Sequence, residues 1–465
     1  MDNTKSLSEQ IADFTLNLRL EQIPPDVVSF AKWLLFDSIG VAMSCQNMKH
    51  AIAVRRAVLE TNSQPECTLW GTSSKVQLAD AVLYNSCLIH GADYDDTHVG
   101  GIVHPSAAVM STAITVGEKV QASGAQMMEA MVAGWEVIVR LALAAKGRFH
   151  DVGYHGSGIV APFAAACVAA KLLGLPKETL VNALGICGSQ SAALQEFLHD
   201  GTWVKKIHPG WGAHSAIYAL NMAKHGFTGP LRVFEGEFGL WKTHLGATDG
   251  LEEAFRNLGT VWHTTEISFK MYPVCHMTHS FIDCTIDLLQ ELGLPADEIA
   301  SIECRVDPRY YPIVCEPRKA KIRPQTDYMM RFSLPYVVAV AAYQHKVSPF
   351  EVDMKYAQDP SILSLMKRIH CISDMEQRNP GHFPGWIQLT TQDGRTYTRE
   401  QRYEIGASEN PVSEEAVRIK FQNNLSAYYS EEKRRKLVDK IYAFDTLAQA
   451  EELLNCLTAD RKMEE

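Results

Sequence analysis

The segment at residues 90–106, HGADYDDTHVGGIVHPS, constrains the fold more than any other part of the chain. It crowds His90, Asp93, Asp95, Asp96, Thr97, His98 and His104 between two apolar runs, residues 79–89 and 105–116. Both runs have the composition of buried helices, so the fold must bury the ends of the polar segment or give its charges a task. Gly100 and Gly101 break the backbone before the second helix. Pro105 suits a first helical position, where its missing N–H costs nothing, and this sets His104 near the cap. Free N–H groups at a helix start favour an anion, and an imidazole there adds a proton or a charge. The segment therefore reads as a catalytic site rather than a solvated loop.

The rest of the chain supplies the scaffold. Leu7, Ile11, Phe14 and Leu18 fall at helical spacing. After Pro24 and Pro25 the same holds for Val28, Ala31, Leu35 and Ile39, with Gly40 or Ser44 expected to end the helix. Short segments lead to Gly71. Further apolar periodicity predicts helices at 126–145, at 158–175 after a glycine-rich break, and from Pro176 to about Cys187. The texture changes near residue 266. Residues 301–306 alternate like a strand, and 386–391 and 396–398 flank Asp393 and Gly394 as a hairpin. Helices are expected at 279–292, 332–344 and 362–369, and again from about 405 to 457. The expected fold is mostly α with a smaller α+β domain. Residues 1–265 and 405–465 would form a large helical domain from both chain ends, and residues 266–404 an inserted α+β lid.

A net charge of -10 and the lack of any long Lys/Arg run argue against a nucleic-acid partner. Eleven cysteines include no CxxC pair, which points to free thiols in a reducing compartment. Residues 1–5 are polar and lead into an amphipathic helix without an apolar leader. The longest apolar run, 158–175, contains Pro162 and Lys171 and is too short for a membrane span. The expectation is a soluble, cytoplasmic protein with no membrane partner.

Four element breaks gather the chemistry: 90–106, 153–157, 203–211 and 270–279. They offer His104, His155, Lys205, Lys206, His208, Lys270, His276 and His279 as cationic or proton-transferring groups. An acidic protein that collects bases at loops implies an anionic substrate, drawn in against the overall repulsion. If the loops meet, imidazoles and ammonium groups beside carboxylates suit removal of a proton alpha to a carboxylate. Singly, each residue has a plainer reading. A histidine before proline is usually a loop residue, Asp95 to Thr97 can cap a helix, and Lys205 with Lys206 can be a solvated pair. His90, Asp93, Asp96, His98 and His104 are types that bind zinc, iron or manganese. No HExxH and no Glu accompany them, and lysines make poor neighbours for a cation, so no metal is expected. Neither GxGxxG nor a P-loop motif occurs, and Cys275 beside His276 makes a weak nucleophile pair.

At these places the sequence resembles the MmgE/PrpD family, which includes 2-methylcitrate dehydratase, cis-aconitate decarboxylase and iminodisuccinate epimerase. The carrying motifs are the 90–106 segment, Tyr154-His155 before an Ala-rich helix, Lys205 to Gly210, and Lys270 to His276. Residues 331–336 and Asn410-Pro411 are further landmarks. The resemblance implies the two-part fold, a homodimer, no metal or organic cofactor, and a small carboxylate as substrate. By similarity to the decarboxylase branch, Asp93, Thr97, His104, His155 and Lys205 fall on active-site positions. Cys275 stands where that branch has a further histidine, and His276 follows it. The implied activity is a lyase on a di- or tricarboxylate of the citrate/aconitate type, a dehydratase or decarboxylase. An epimerase or isomerase using the same proton chemistry, and a non-catalytic carboxylate-binding protein, are the alternatives. In the lyase, His104 and His155 would exchange protons and Thr97 would donate to the substrate. Lys205, helped by Lys206 or His276, would hold a carboxylate, and Asp93 would orient an imidazole. Tyr154, Lys270 and Cys275 would complete the substrate site.

Overall fold

The computed structural model describes residues 5–61 and 64–460, so all of the polar start except Lys5 lies outside the described residues. Helices α1 (Leu7–Asn17), α2 (Pro25–Cys45), α3 (Lys49–Glu60), α4 (Leu78–His90), α5 (Ser106–Val120), α6 (Gly124–Ala145), α7 (Gly156–Leu172), α8 (Lys177–Gly188) and α9 (His208–Lys224) build the first part. Helices α10 (His279–Leu292), α11 (Leu334–Gln344) and α12 (Pro360–Arg368) accompany a sheet of β1 (Ile299–Val306), β2 (Ile369–Ser373), β3 (Gly385–Thr391) and β4 (Thr396–Gln401). The chain returns to helix in α13 (Glu414–Leu425), α14 (Glu431–Tyr442) and α15 (Glu451–Leu457).

Local chemistry sets several of these ends. Ser6 accepts from the Glu9 N–H at 3.2 Å while its own N–H donates to the Glu9 carboxylate at 2.9 Å, a capping box that starts α1. Pro25 opens α2, as its fixed φ favours. Contrary to expectation, α2 runs through Gly40 to Cys45. Gly40 serves packing instead, because a β-carbon there would stand 3.1 Å from the Phe421 Cα of α13, which crosses at that point. The Phe36 and Phe421 rings meet edge-on at 5.3 Å beside the crossing. By length and composition α2 could cross a membrane, but 67% of its apolar window is buried inside this molecule.

Two buried cores result. One joins residues 7–269 to residues 412–457, and the second spans residues 274–389. Val99 and Phe197, from the first part of the chain, pack into the second core and tie the two together. In the sheet the strand order is β2-β1-β3-β4, with β1 parallel to β2 and the other pairs antiparallel. Gly394 turns the β3–β4 hairpin at φ +84°. Strand β2 occupies a stretch whose first residue was expected to end a helix. It is an edge strand whose burial falls away after Ile369, so its sequence lacks the alternation that marks a half-buried strand. Helix α3, in a stretch expected to hold only short segments, is amphipathic and buries His50, Ala51, Arg55 and Val58.

Candidate active site

The polar segment leaves α4 at His90 and enters α5 at Ser106. Asp96 secures that entry by accepting from the Ser106 N–H at 3.2 Å and from its hydroxyl, and the Trp135 indole N–H donates to the same hydroxyl at 3.0 Å. Part of the segment is thus a helix cap, built by Asp96. Thr97 pairs through its backbone with Ser268, N–H to carbonyl at 2.9 Å and 2.8 Å in the two directions, which lays the segment against residues 268–276. Two of its residues hold left-handed backbones, Asp93 at φ +51° and Ile102 at φ +50°. For a β-branched residue that conformation is a strained one, and such strain gathers at functional sites.

Asp93 is the hub. Lys205 and Lys270 both donate to its Oδ1 at 2.8 Å, and Lys270 donates again to the Asp93 carbonyl at 2.9 Å. All three residues are buried. Burial works to raise the Asp93 carboxyl, but the two ammonium groups outweigh it and hold it well below the usual carboxylate range. An ammonium has three protons. Lys270 commits two of them to Asp93, whereas among the described residues Asp93 is the one hydrogen-bond acceptor of Lys205. Lys205 therefore keeps protons for a ligand, above the Phe332 ring at 5.1 Å.

His104 lies beside this group, its Nε2 3.9 Å from Asp93 Oδ1. Its Nδ1 is 2.9 Å from the Asp96 carbonyl, which can only accept, so Nδ1 carries the proton and Nε2 the lone pair. The imidazole expected to be oriented by Asp93 is thus oriented by the Asp96 backbone, while Asp93 serves the lysines. The Thr97 hydroxyl also approaches His104 Nδ1, at 3.3 Å. His155 Nδ1 stands 3.2 Å from His208 Nδ1, so the two rings share one proton, and His155 stacks on His90 at 5.6 Å. Burial first, then neighbouring positive charge, pushes His104 and His155 well below the ordinary imidazole value, and His208 down to about 3. These rings are neutral bases at neutral pH.

A cleft opens over these groups. It is lined by Asp93, Thr97, His104, His155, Lys205, Lys270, Cys275 and His276, so eight of the ten residues given a role through the resemblance meet in one place. Tyr154 and Lys206 do not line it. Tyr154 packs on His244 at 5.0 Å. Lys206 turns away to Asp327 at 3.1 Å and His50 at 3.4 Å, because consecutive residues of the 3₁₀ turn Val204–Ile207 point in different directions. His276 is buried with both ring nitrogens unpaired, and burial raises the Cys275 thiol. Sequence reasoning missed His150, Gln195 and the apolar wall of Ile102, Phe197, Ile313, Phe332 and Phe383. It also missed two buried clamping roles, that of Arg331, known only as part of a landmark, and that of Lys420. Arg331 donates to the Ala92 carbonyl at 2.6 Å and to the Pro273 carbonyl, joining two site loops. Lys420 of α13 donates to the Tyr94 and Lys270 carbonyls at 2.9 Å and 2.7 Å and pairs with Asp37 at 2.5 Å. No local pattern marks what either residue does, since each reaches a partner more than 100 positions away.

His90, Asp95 and His104 have ligand-type atoms within 4.8 Å of one another. The Nδ1 atoms, which face Asp95, carry the protons, however. His104 Nδ1–H is committed to the Asp96 carbonyl, and His90 Nδ1 faces Asp95 at 2.8 Å as its donor. A cation there would displace both protons with the Lys270 ammonium close by, so the donor set fits hydrogen bonding better than ligation.

A profile of the MmgE/PrpD N-terminal domain matches residues 9–250, and one of the MmgE/PrpD C-terminal domain matches residues 272–443. The chain belongs to the MmgE/PrpD family. Relatives in that family match it almost end to end. A cis-aconitate decarboxylase-like protein of Aspergillus oryzae is 23% identical over 98% of both chains. The cis-aconitate decarboxylase of Aspergillus terreus is 23% identical over 98% of this chain and 97% of its own. The 2-methylcitrate dehydratase of Escherichia coli is 20% identical over 92% of each. Decarboxylases and dehydratases are both lyases, so these relatives of the MmgE/PrpD chain are lyase-type enzymes.

Proposed function

We propose that the protein is a cofactor-independent lyase that moves a proton at the carbon alpha to a carboxylate of a small di- or tricarboxylate of the citrate/aconitate type. The observation that carries this is the unequal duty of the two lysines on Asp93. Lys270 fixes the carboxylate, and Lys205 faces the cleft with protons to spare beside the His104 lone pair. A substrate carboxylate would accept from Lys205 and from the Thr97 hydroxyl. His104 Nε2 would take the alpha proton, and the charge that develops on the carboxylate as an enediolate would be held by Lys205.

In a dehydration the electron pair of the broken C–H bond, held first in the enediolate, forms the C=C bond as the C–O bond breaks, and the departing hydroxide takes the proton that His104 gained, relayed through the His155–His208 pair. In a decarboxylation the C–C electrons pass into the conjugated acid as CO2 leaves, and the carbon takes a proton from water, relayed through the same imidazoles, which leaves hydroxide. His276, buried with unpaired nitrogens, would meet a second carboxylate or its bridging water. We infer further that the enzyme works in the cytoplasm as a homodimer. Eleven free cysteines support a reducing compartment, and light scattering of the purified protein tests the dimer.

The reaction itself is tested by incubating metal-stripped protein with cis-aconitate, 2-methylcitrate, trans-aconitate and iminodisuccinate in deuterated water, followed by proton NMR. Loss of water or CO2 is expected. Deuterium entering an intact skeleton would make the protein an epimerase, and saturable binding without exchange would make it a carboxylate-binding protein.

A further inference from the structure

The charges that line the cleft do not add up to a tricarboxylate. Among its lining residues the formally charged side chains are Asp93, Lys205 and Lys270. One carboxylate against two ammonium groups leaves a single positive charge. Burial keeps the lining imidazoles His104, His155 and His276 neutral and pushes His150 down to about 4. The buried cations nearby are already committed. Arg331 donates to the Ala92 and Pro273 carbonyls, Lys321 to the Ile313 and Phe332 carbonyls, and Lys206 to Asp327.

Carbon begins where these polar groups end. The Phe332 ring lies under Lys205 at 5.1 Å, Phe383 beside His276 at 5.2 Å, and Phe197 edge-on to His155 at 6.1 Å. Two of the rings are backed by others, Phe332 by Tyr328 at 4.7 Å and Phe383 by Tyr310 at 5.1 Å. Ile102, Leu198 and Ile313 extend the same wall. Gln195 also lines it, but its amide donates to the Tyr154 carbonyl at 2.6 Å.

We propose that the acid taken by the cleft is a dicarboxylate carrying an alkyl group of two or more carbons where a citrate- or aconitate-type acid carries its third carboxylate arm. The inference rests on the lyase reading above and narrows its substrate class. One carboxylate accepts from Lys205 and Thr97, and the second meets His276 or its bridging water. A dicarboxylate then leaves one negative charge to be met by hydrogen bonds from neutral groups, and a tricarboxylate leaves two. A third carboxylate against the phenyl wall is a buried charge without a partner, which is strongly unfavourable. An alkyl group in the same place gains by burial, about fourfold in affinity for each methylene. Tricarboxylates are therefore the weaker ligands.

The test uses inert acids, so that binding is read without turnover. Succinate, 2-methylsuccinate, 2-ethylsuccinate and tricarballylate are titrated calorimetrically into the intact protein at neutral pH and one ionic strength. Ethylsuccinate and tricarballylate differ only in a terminal methyl against a terminal carboxylate. Ethylsuccinate is expected to bind about 15-fold more tightly than succinate, and at least about tenfold more tightly than tricarballylate. Leu198 is partly exposed, so Leu198→Lys brings an ammonium to the wall at a position where a charge is tolerated. It should reverse the order of the last two acids, with circular dichroism checking the fold. Lys205→Ala should weaken all four acids about tenfold or more. Tricarballylate binding as tightly as ethylsuccinate, with both lost in Lys205→Ala, would overturn the proposal and leave the carboxylate anchor of the lyase reading standing. An unchanged order in folded Leu198→Lys would overturn it too. Parental binding of all four acids by Lys205→Ala would overturn the anchor and the proposal together.

Discussion

Replacing Asp93 by asparagine tests whether the cleft floor is a desolvated ion cluster. Asparagine tolerates the left-handed backbone at φ +51° about as well as aspartate, so the change removes charge rather than adding strain. It strands two buried ammonium groups that each lie 2.8 Å from one oxygen. Breaking a buried pair by deleting one partner costs about 3–5 kcal/mol. An unfolding entropy of about 2.1 cal/mol/K per residue near the midpoint gives about 1 kcal/mol/K for a chain of this length. If the two cores melt together, Tm falls by about 3–5 °C, readable by calorimetry. Asp93 is held below its unfolded value of about 3.9, so its contribution is fully present above that value. It is lost as pH falls through the folded value. The deficit should therefore be constant from about pH 5 to pH 8 and should close in acid. Replacing both lysines by methionine in the same variant should restore Tm, because no unpaired charge remains. An Asp93→Asn protein melting within about 1 °C of the parent would mean solvated lysines and would refute the reasoning.

Other expectations follow from the same geometry. Lys420→Met should destabilise by about 3–5 kcal/mol in a urea melt, and adding Asp37→Leu should recover most of it, since that pair is buried at 2.5 Å. His150, pushed down to about 4, and His208, at about 3, bind fewer protons folded than unfolded below about pH 6.5. Stability is therefore whole above that pH and lost as pH falls, and a His150→Gln/His208→Gln variant should show a shallower acid loss in Tm. On whichever acid the enzyme converts, Lys205→Ala should lower kcat by about 100-fold or more, while Lys206→Ala should leave kcat within about threefold because its ammonium serves Asp327 outside the cleft.

Much of this was readable in the chain because local rules govern it. The helix at 279–292, the hairpin around Gly394 and the polar segment between two buried helices each announce themselves within twenty residues. The four loops carrying Asp93, His155, Lys205 and Lys270 could be named from their residue types, but their meeting depends on long-range packing. Division of labour was less legible. Lys205 and Lys206 are indistinguishable until the 3₁₀ turn sends one to Asp93 and the other to Asp327. Asp93 was expected to hold an imidazole, yet a backbone carbonyl does that work, and backbone groups leave no trace in residue identity. The apolar wall of the cleft reads as ordinary core for the same reason that the clamping roles of Arg331 and Lys420 pass unnoticed. Nothing in a sequence separates a phenylalanine facing a ligand from one facing another phenylalanine.

The central claim is that the His104 lone pair takes a proton from substrate held by Lys205. The most direct measurement is single-turnover conversion by His104→Gln beside its equilibrium binding of the same acid. The account predicts a rate lower by about 1,000-fold or more with Kd within about threefold of the parent. Near-parental turnover by His104→Gln would contradict it.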